Sequence, residues 1–199
     1  MPEIARLRIE LDEVEPRVRR RLEVRLDIRL DDLHLVIQTA MPWQNDHLYS
    51  FDVGRGPGWG IPDPAIGDDD PMFRPASKAA LADLLGEARG KSFTYNYDFG
   101  DDWLHTIKVE AIGKAEAGVV YPRLLAAEGA CPPEDCGGAP GYFHLLEALA
   151  DPEHEDHDEI AEWLGEQFDP ATFDEAALRG AVARLAGPKG RGAKKRRAA

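Results

Sequence analysis

An α+β fold is what this sequence predicts: a mainly antiparallel sheet followed by a C-terminal helical layer. Three observations lead there. Several segments before residue 110 alternate apolar and polar residues with period two. From Tyr142 onward the apolar positions recur with helical spacing instead. Between the first two alternating segments stand only a few turn residues, Glu13 to Pro16, which is the length of a hairpin connection and not of a crossover.

Taken in order, Leu7, Ile9 and Leu11 alternate with Arg8, Glu10 and Asp12, the pattern of a half-buried strand. Leu22, Val24, Leu26, Ile28 and Leu30 alternate with charges and predict its hairpin partner. Asp31 and Asp32 are placed to cap a helix with apolar positions Leu33, Val36, Ile37 and Ala40, ended by Met41-Pro42. His47 to Val53 reads as a third strand. Residues 54–76, dense in Gly and Pro around Asp68-Asp69-Asp70, read as a long surface loop. Ser77 is expected to cap a short helix through Leu85. Phe93, Tyr95 and Tyr97 alternate as one strand, and Trp103, His105, Ile107 and Val109 as another, with Asp98-Phe99-Gly100-Asp101 at the turn between them. A shorter strand is expected near Val119 to Leu124, then helices at 142–150, 156–166 and 172–186.

The 199 residues suit one domain, here 1–187, with a basic disordered tail at 188–199. A hydrophobic share of 43% and a charged share of 31% are those of a soluble globular chain. No apolar run is long enough to span a bilayer, and no signal peptide opens the chain, so a cytoplasmic location and no membrane partner are expected. Net charge is −13, and setting aside the six positive charges of the tail leaves −19 on the rest. Eleven acids and no Lys or Arg lie between Asp151 and Glu175, a face that repels phosphate backbones. A protein partner is therefore expected. Nucleic acid remains open through Lys194, Lys195, Arg196 and Arg197 of the tail, and through the strand arginines Arg19, Arg20 and Arg21.

Two dense segments carry the side chains capable of chemistry. One is Cys131-Pro132-Pro133-Glu134-Asp135-Cys136-Gly137-Gly138, whose prolines and glycines require a shaped loop. The other is Tyr95 to His105. Cys131 and Cys136 offer two thiolates to zinc, with His105 as a further ligand, or else pack as part of a rigid loop. Asp98, Asp101, Asp102 and His105, with Glu134 and Asp135, offer a hard-metal or acid–base cluster, or else turn and capping chemistry. These residues require no cofactor, and zinc is the one they are best placed to hold. Catalysis by the cluster would require it to face the cysteine loop across a cleft.

The ordered set of motifs resembles the plasmid pRiA4b ORF-3-like family, also described as mobile-element passenger TnpR proteins. The matching pieces are Pro16 with Arg19-Arg20-Arg21, Asp32-Leu33-His34 with Ile37-Gln38, Trp43 with His47-Leu48 and Phe51, Tyr95 to His105, Pro122, and Gly129 through Gly138. Gly141-Tyr142, Asp151-Pro152 with His154, Trp163-Leu164, Phe168-Asp169 and Phe173-Asp174 complete it. Val18 and Pro42 depart from the family pattern, which has Trp and Gly there. The resemblance implies a compact α/β-roll-like fold and an association with plasmids or transposons, and no established activity. Resolvase chemistry finds no support in the residues, because Ser50, Ser77 and Ser92 are the only serines and none stands among arginines. The leading expectation is a non-catalytic accessory or interaction protein of mobile-element origin. The alternatives are a metal-binding domain or metal-dependent enzyme using the two dense segments, and a nucleic-acid-binding accessory factor.

Overall fold

The computed structural model describes residues 2–88, 91–165, 168–169 and 172–186. The chain runs β1 (Glu3–Leu11), β2 (Arg19–Arg25), α1 (Leu30–Ala40), β3 (Tyr49–Asp52), β4 (Gly58–Gly60), β5 (Phe73–Pro75), α2 (Leu81–Glu87), β6 (Ser92–Tyr97), β7 (Trp103–Lys114), β8 (Arg123–Glu128), α3 (Gly138–Ala150), α4 (His157–Leu164) and α5 (Glu175–Arg184). The eight strands form one sheet in the order β5-β4-β3-β6-β7-β1-β2-β8. Every pairing is antiparallel except β4 with β5. This is the α+β arrangement that the alternation and the late helices predict.

Strand alternation sorts the sheet into two faces. Leu7, Ile9 and Leu11 of β1, Leu22 and Val24 of β2, Tyr95 and Tyr97 of β6, and Trp103, Ile107 and Val109 of β7 are all buried. They pack with Leu33, Val36 and Ile37 of α1 into one core. Helix α5 closes over the end of the sheet, where Arg179 donates to the β8 carbonyls of Leu124 and Leu125 at 2.6 and 2.5 Å. That covers acceptors an edge strand would otherwise expose.

Several boundaries differ from the expected ones. The second strand ends at Arg25 instead of running to Leu30, because Arg25 pairs with Asp27 and Ile28 N bonds back to Arg25 O, making a turn. Asp31 and Asp32 lie inside the first turn of α1, where they favour the helix dipole, and Arg29 occupies the cap position. Ser77 sits in a 3₁₀ turn and does not cap a helix. Instead the Asp83 carboxylate accepts Ala80 N at 2.8 Å at the start of α2. The strand expected at Val119 to Leu124 forms later, at Arg123–Glu128, beyond Pro122, which has no N–H to pair.

The long loop is also partly ordered into the sheet. Residues 54–76 contribute β4, β5 and a 3₁₀ turn at Gly67–Asp69. Gly60 permits this, since a Cβ there would fall 2.5 Å from Tyr49 O. Arg74 stacks on Trp59 at 3.8 Å and pairs with Glu87, which fastens the segment to α2. The tail expected at 188–199, with Lys194, Lys195, Arg196 and Arg197, lies outside the described residues.

Candidate functional site

The two dense segments meet in direct contact, not across a cleft. Asp101 Oδ2 accepts Gly137 N at 3.1 Å. Gly138, at φ +68, packs so closely that a Cβ would fall 2.4 Å from Asp101 O. Both its handedness and its missing side chain are therefore required. The Tyr97 hydroxyl donates to Glu134 Oε1 at 2.5 Å, and Glu134 Oε2 accepts Gln44 N at 2.7 Å. Burial first, then the neighbouring Glu134 carboxylate, raises the Tyr97 pKa and keeps the hydroxyl a donor. The Trp43 indole N–H donates to Pro132 O at 3.0 Å. One prolyl carbonyl and one glutamate thus fasten the cysteine loop to the segment after α1 and to β6.

The aspartates divide by role. Asp98 and Asp102 adopt φ of 58° and 55°, the left-handed region that Asp tolerates in turns. Asp98 Oδ1 accepts Gly100 N at 2.9 Å, and Asp102 Oδ1 accepts Asn96 Nδ2 at 2.5 Å. His47, which no chemical reading of the sequence singled out, joins Asp98 and Asp135. Its Nε2 lies 3.6 Å from Asp98 Oδ2 and 3.0 Å from Asp135 Oδ1. Phe99, exposed at the hairpin tip, stacks on Phe73 with centroids 5.6 Å apart.

His105 does not reach this cluster. It is fully buried, with Nδ1 bonded to Trp103 O at 2.9 Å and Tyr95 O at 3.3 Å. Its Nε2 has no hydrogen-bond partner among the described residues, and the Trp43 ring meets it edge-on at 5.5 Å. Burial lowers its pKa to about 4, so it stays neutral. A second buried imidazole, His34, accepts the Tyr95 hydroxyl at Nδ1 (2.7 Å) and donates from Nε2 to Asn45 Oδ1. Gln38, one helical turn on, donates to the same Tyr95 hydroxyl at 3.0 Å. Helix α1 is pinned to β6 by that network.

The cysteines are free and half-buried. Burial pushes the Cys131 thiol up to about 11 against the opposing charge of Arg20. Burial, with the Asp101 and Asp135 carboxylates, pushes Cys136 to about 12. Both are thiols at neutral pH, so nucleophilic attack or metal ligation first costs a deprotonation. Cys131 Sγ lies 3.2 Å from Met41 Sδ and 3.5 Å from Arg20 Nη2. Neither sulfur belongs to a group of three ligand atoms within 4.8 Å among the described residues.

The arginine stripe is split by strand alternation. Arg19 pairs with Glu10 and Glu128, and Arg21 with Glu110. Arg20 points the other way, is 1% exposed, and donates to Ala40 O, Arg19 O and Glu128 O at 2.7–2.8 Å. Only Arg19 and Arg21 of these three face solvent.

Two clefts flank the cysteine loop. One, of about 380 Å³, lies between α3 and α4 and includes Cys136, His144, Asp156 and Trp163. The other, of about 450 Å³, includes Trp43, Pro133, Glu134 and Trp163. Asp135 borders both, and Trp163 is 53% exposed between them. At the rim of the first, His144 Nε2 lies 3.0 Å from Asp156 Oδ2, with the His154 ring 5.4 Å from that of His144.

A family model described as plasmid pRiA4b ORF-3-like protein matches residues 3–177. The chain belongs to the plasmid pRiA4b ORF-3-like family. The pRiA4b ORF-3-like relatives include the uncharacterized protein y4hQ of Sinorhizobium fredii, 45% identical over 194 residues, which is 97% of each chain. The chain is also similar to the crystal structure of a protein of unknown function, MM3350 of Methanosarcina mazei Go1, with a TM-score of 0.78 and 34% identity, covering 88% of this chain and 97% of that one. The pRiA4b resemblance read from the motifs therefore holds along most of the chain. The family supplies the fold and no assigned chemistry. No helix among the described residues is long and apolar enough to cross a membrane.

Proposed function

We propose that this pRiA4b ORF-3-like protein is a non-catalytic accessory factor of mobile elements that works in the cytoplasm by docking a basic protein partner. One observation carries the non-catalytic part. The side chains that looked reactive have structural uses: Glu134, held by Tyr97 and Gln44, and Asp101, held by Gly137, join two loops, and Asp102, held by Asn96, braces the β6–β7 hairpin. His105 is sealed in the core and both thiols are protonated at neutral pH. A general acid or nucleophile needs a free, poised group beside a place for substrate. These groups lack that freedom.

Charge supports the partner. Asp156, Glu159 and Asp135 surround the exposed Trp163 at the clefts. An aromatic anchor inside an acidic rim suits a Lys/Arg-rich segment that also carries an apolar side chain. Phosphate backbones are disfavoured there, and on the sheet Arg19 and Arg21 are already paired with carboxylates.

A Lys/Arg-rich peptide bearing one aromatic residue tests this. Titrated into the full chain at low salt, it should protect Trp163 from acrylamide quenching, and Trp163→Ala should weaken binding about tenfold. Unchanged binding by Trp163→Ala, or none at low salt, would remove the docking role. Loss of the gene should change the maintenance or movement of the plasmid or transposon that carries it. An unaffected frequency would remove the mobile-element role.

A further inference from the structure

We propose that His47, Asp98 and Asp135 form a binding site for one divalent transition-metal cation, of the zinc or manganese class, which clasps the β6–β7 hairpin to the cysteine loop. The site goes beyond the docking role and requires no catalysis.

Three separate segments supply the ligands. His47 comes from the lead into β3, Asp98 from the β6–β7 turn, and Asp135 from the loop between Cys131 and Cys136. One nitrogen and two carboxylate oxygens lie within 4.8 Å of one another. His47 Nε2 is 3.0 Å from Asp135 Oδ1 and 3.6 Å from Asp98 Oδ2. A cation with bonds of about 2.0–2.2 Å holds neighbouring ligands roughly 3 Å apart, so this spacing needs little adjustment. An imidazole with two carboxylates is a borderline-to-hard donor set, suited to zinc, manganese or iron.

A second observation also points to a ligand. Asp98 is 8% exposed, and its Oδ1 is used by Gly100 N. Its Oδ2 receives no hydrogen bond among the described residues and faces His47. The Asp135 carboxylate is directed at the same imidazole, so two negative groups converge on one ring and repel each other. A cation relieves that repulsion. The surroundings hold the ligands in place: Asp98 N bonds to Leu48 O at 2.9 Å, and the Tyr97 ring meets His47 edge-on at 5.8 Å. Asp135 has a side chain 72% exposed, so the remaining coordination positions open to water.

The other three-ligand group, His144, His154 and Asp156, is less suited. His154 Nδ1 already accepts Asp156 N at 3.1 Å, so its lone pair there is occupied. It serves as the internal control, together with the cysteines.

Calorimetric titration of Zn²⁺ and Mn²⁺ into chelator-stripped, tag-free full-length protein at neutral pH tests the site. The expected result is one ion per chain, a raised melting temperature, and affinity lowered at least about tenfold by Asp98→Asn and by His47→Ala. Cys131→Ser and His144→Ala should bind as the parent does. Circular dichroism checks each variant, and His47→Ala decides the matter if Asp98→Asn does not fold. No binding by the parent protein would overturn the proposal, and so would binding that survives loss of His47 or is abolished by His144→Ala or Cys131→Ser. A mere His47⁺–carboxylate ion pair would show itself as no uptake of either metal.

Discussion

The two faces of the sheet each bury a charge on the same strand, and they neutralise it by different means. On the open face Glu23 is 1% exposed, held by Arg6 at 2.8 Å and Arg123 at 2.5 Å, with Arg123 reaching on to Glu116. On the helix-covered face Arg20 is equally buried, yet its guanidinium donates to three main-chain carbonyls. One of those is Ala40 O at the C-terminal end of α1, where a cation and an orphan acceptor suit each other. The difference shows two ways to bury charge. The open face uses partners with their heads in water, which makes its ion pairs replaceable. The covered face uses fixed main-chain carbonyls that cannot turn away to water, which makes its cation structural. Arg20 also touches Cys131 and stacks over Phe173 at 5.3 Å, so it binds the cysteine loop to the core.

Acid should separate the faces most strongly. Burial lowers His34 and His105 to about 4, so the folded chain keeps them neutral while the unfolded chain protonates them near 6.5. Unfolded chain then binds more protons, and stability falls as pH drops from 6.5 toward 4. The loss is about 2.5 kcal/mol per histidine by pH 4.5. Glu23 behaves differently. Burial would raise its pKa, but hydrogen bonds and charge from Arg6 and Arg123 win and lower it. Its contribution is therefore present above its ordinary 4.5 and is lost only below that, as pH falls through the lowered folded value. Urea unfolding across pH 7.5 to 3 should show a steep covered-face loss first and an open-face loss later. A profile flat to pH 5 would refute the histidine assignment.

Arg20→Met comes next. It leaves Ala40 O and Glu128 O without this donor while keeping an apolar stem, at a cost of about 3 kcal/mol. The same variant should speed modification of Cys131 by a thiol reagent, since the loop loses an anchor. A melting temperature within about 2 °C of the parent would mean that the carbonyls find other donors. Glu23→Gln should cost least, about 1 kcal/mol, because Arg6 and Arg123 are 39% and 31% exposed and can turn to water. That cost should shrink further in 1 M salt, whereas the Arg20→Met cost should not. Equal salt dependence of the two would erase the contrast between the faces.

Much of the scaffold was legible because side-chain periodicity is a local property. Leu7, Ile9 and Leu11, and Trp103, His105 and Ile107, announce both strand and inward face before any partner is known. Even the inward direction of His105 followed from its place beside Trp103 and Ile107. The errors occurred where local signals compete. Asp27 sits in an alternating run yet turns the chain by pairing with Arg25. The Gly- and Pro-rich loop reads as unstructured yet supplies two strands once Ser50 and Phe51 of β3 offer an edge to Gly60 and Trp59. Within the candidate site, the aspartates and Glu134 were visible as a chemical motif, whereas His47 was not. It stood among the family motif pieces beside Trp43, but only its position facing Asp98 and Asp135 gives it a chemical role.

By itself the sequence determined the α+β class, the central hairpins, the acidic character and the family, since each rests on residue spacing or on a local motif. Tertiary structure alone decided which groups could act: that Arg20 turns inward to carbonyls, that His105 is sealed from the aspartates, and that two loops distant in the chain close on His47. Spacing prescribes the conformation of a segment, but the meeting of distant segments is set by how the whole sheet and its helices pack.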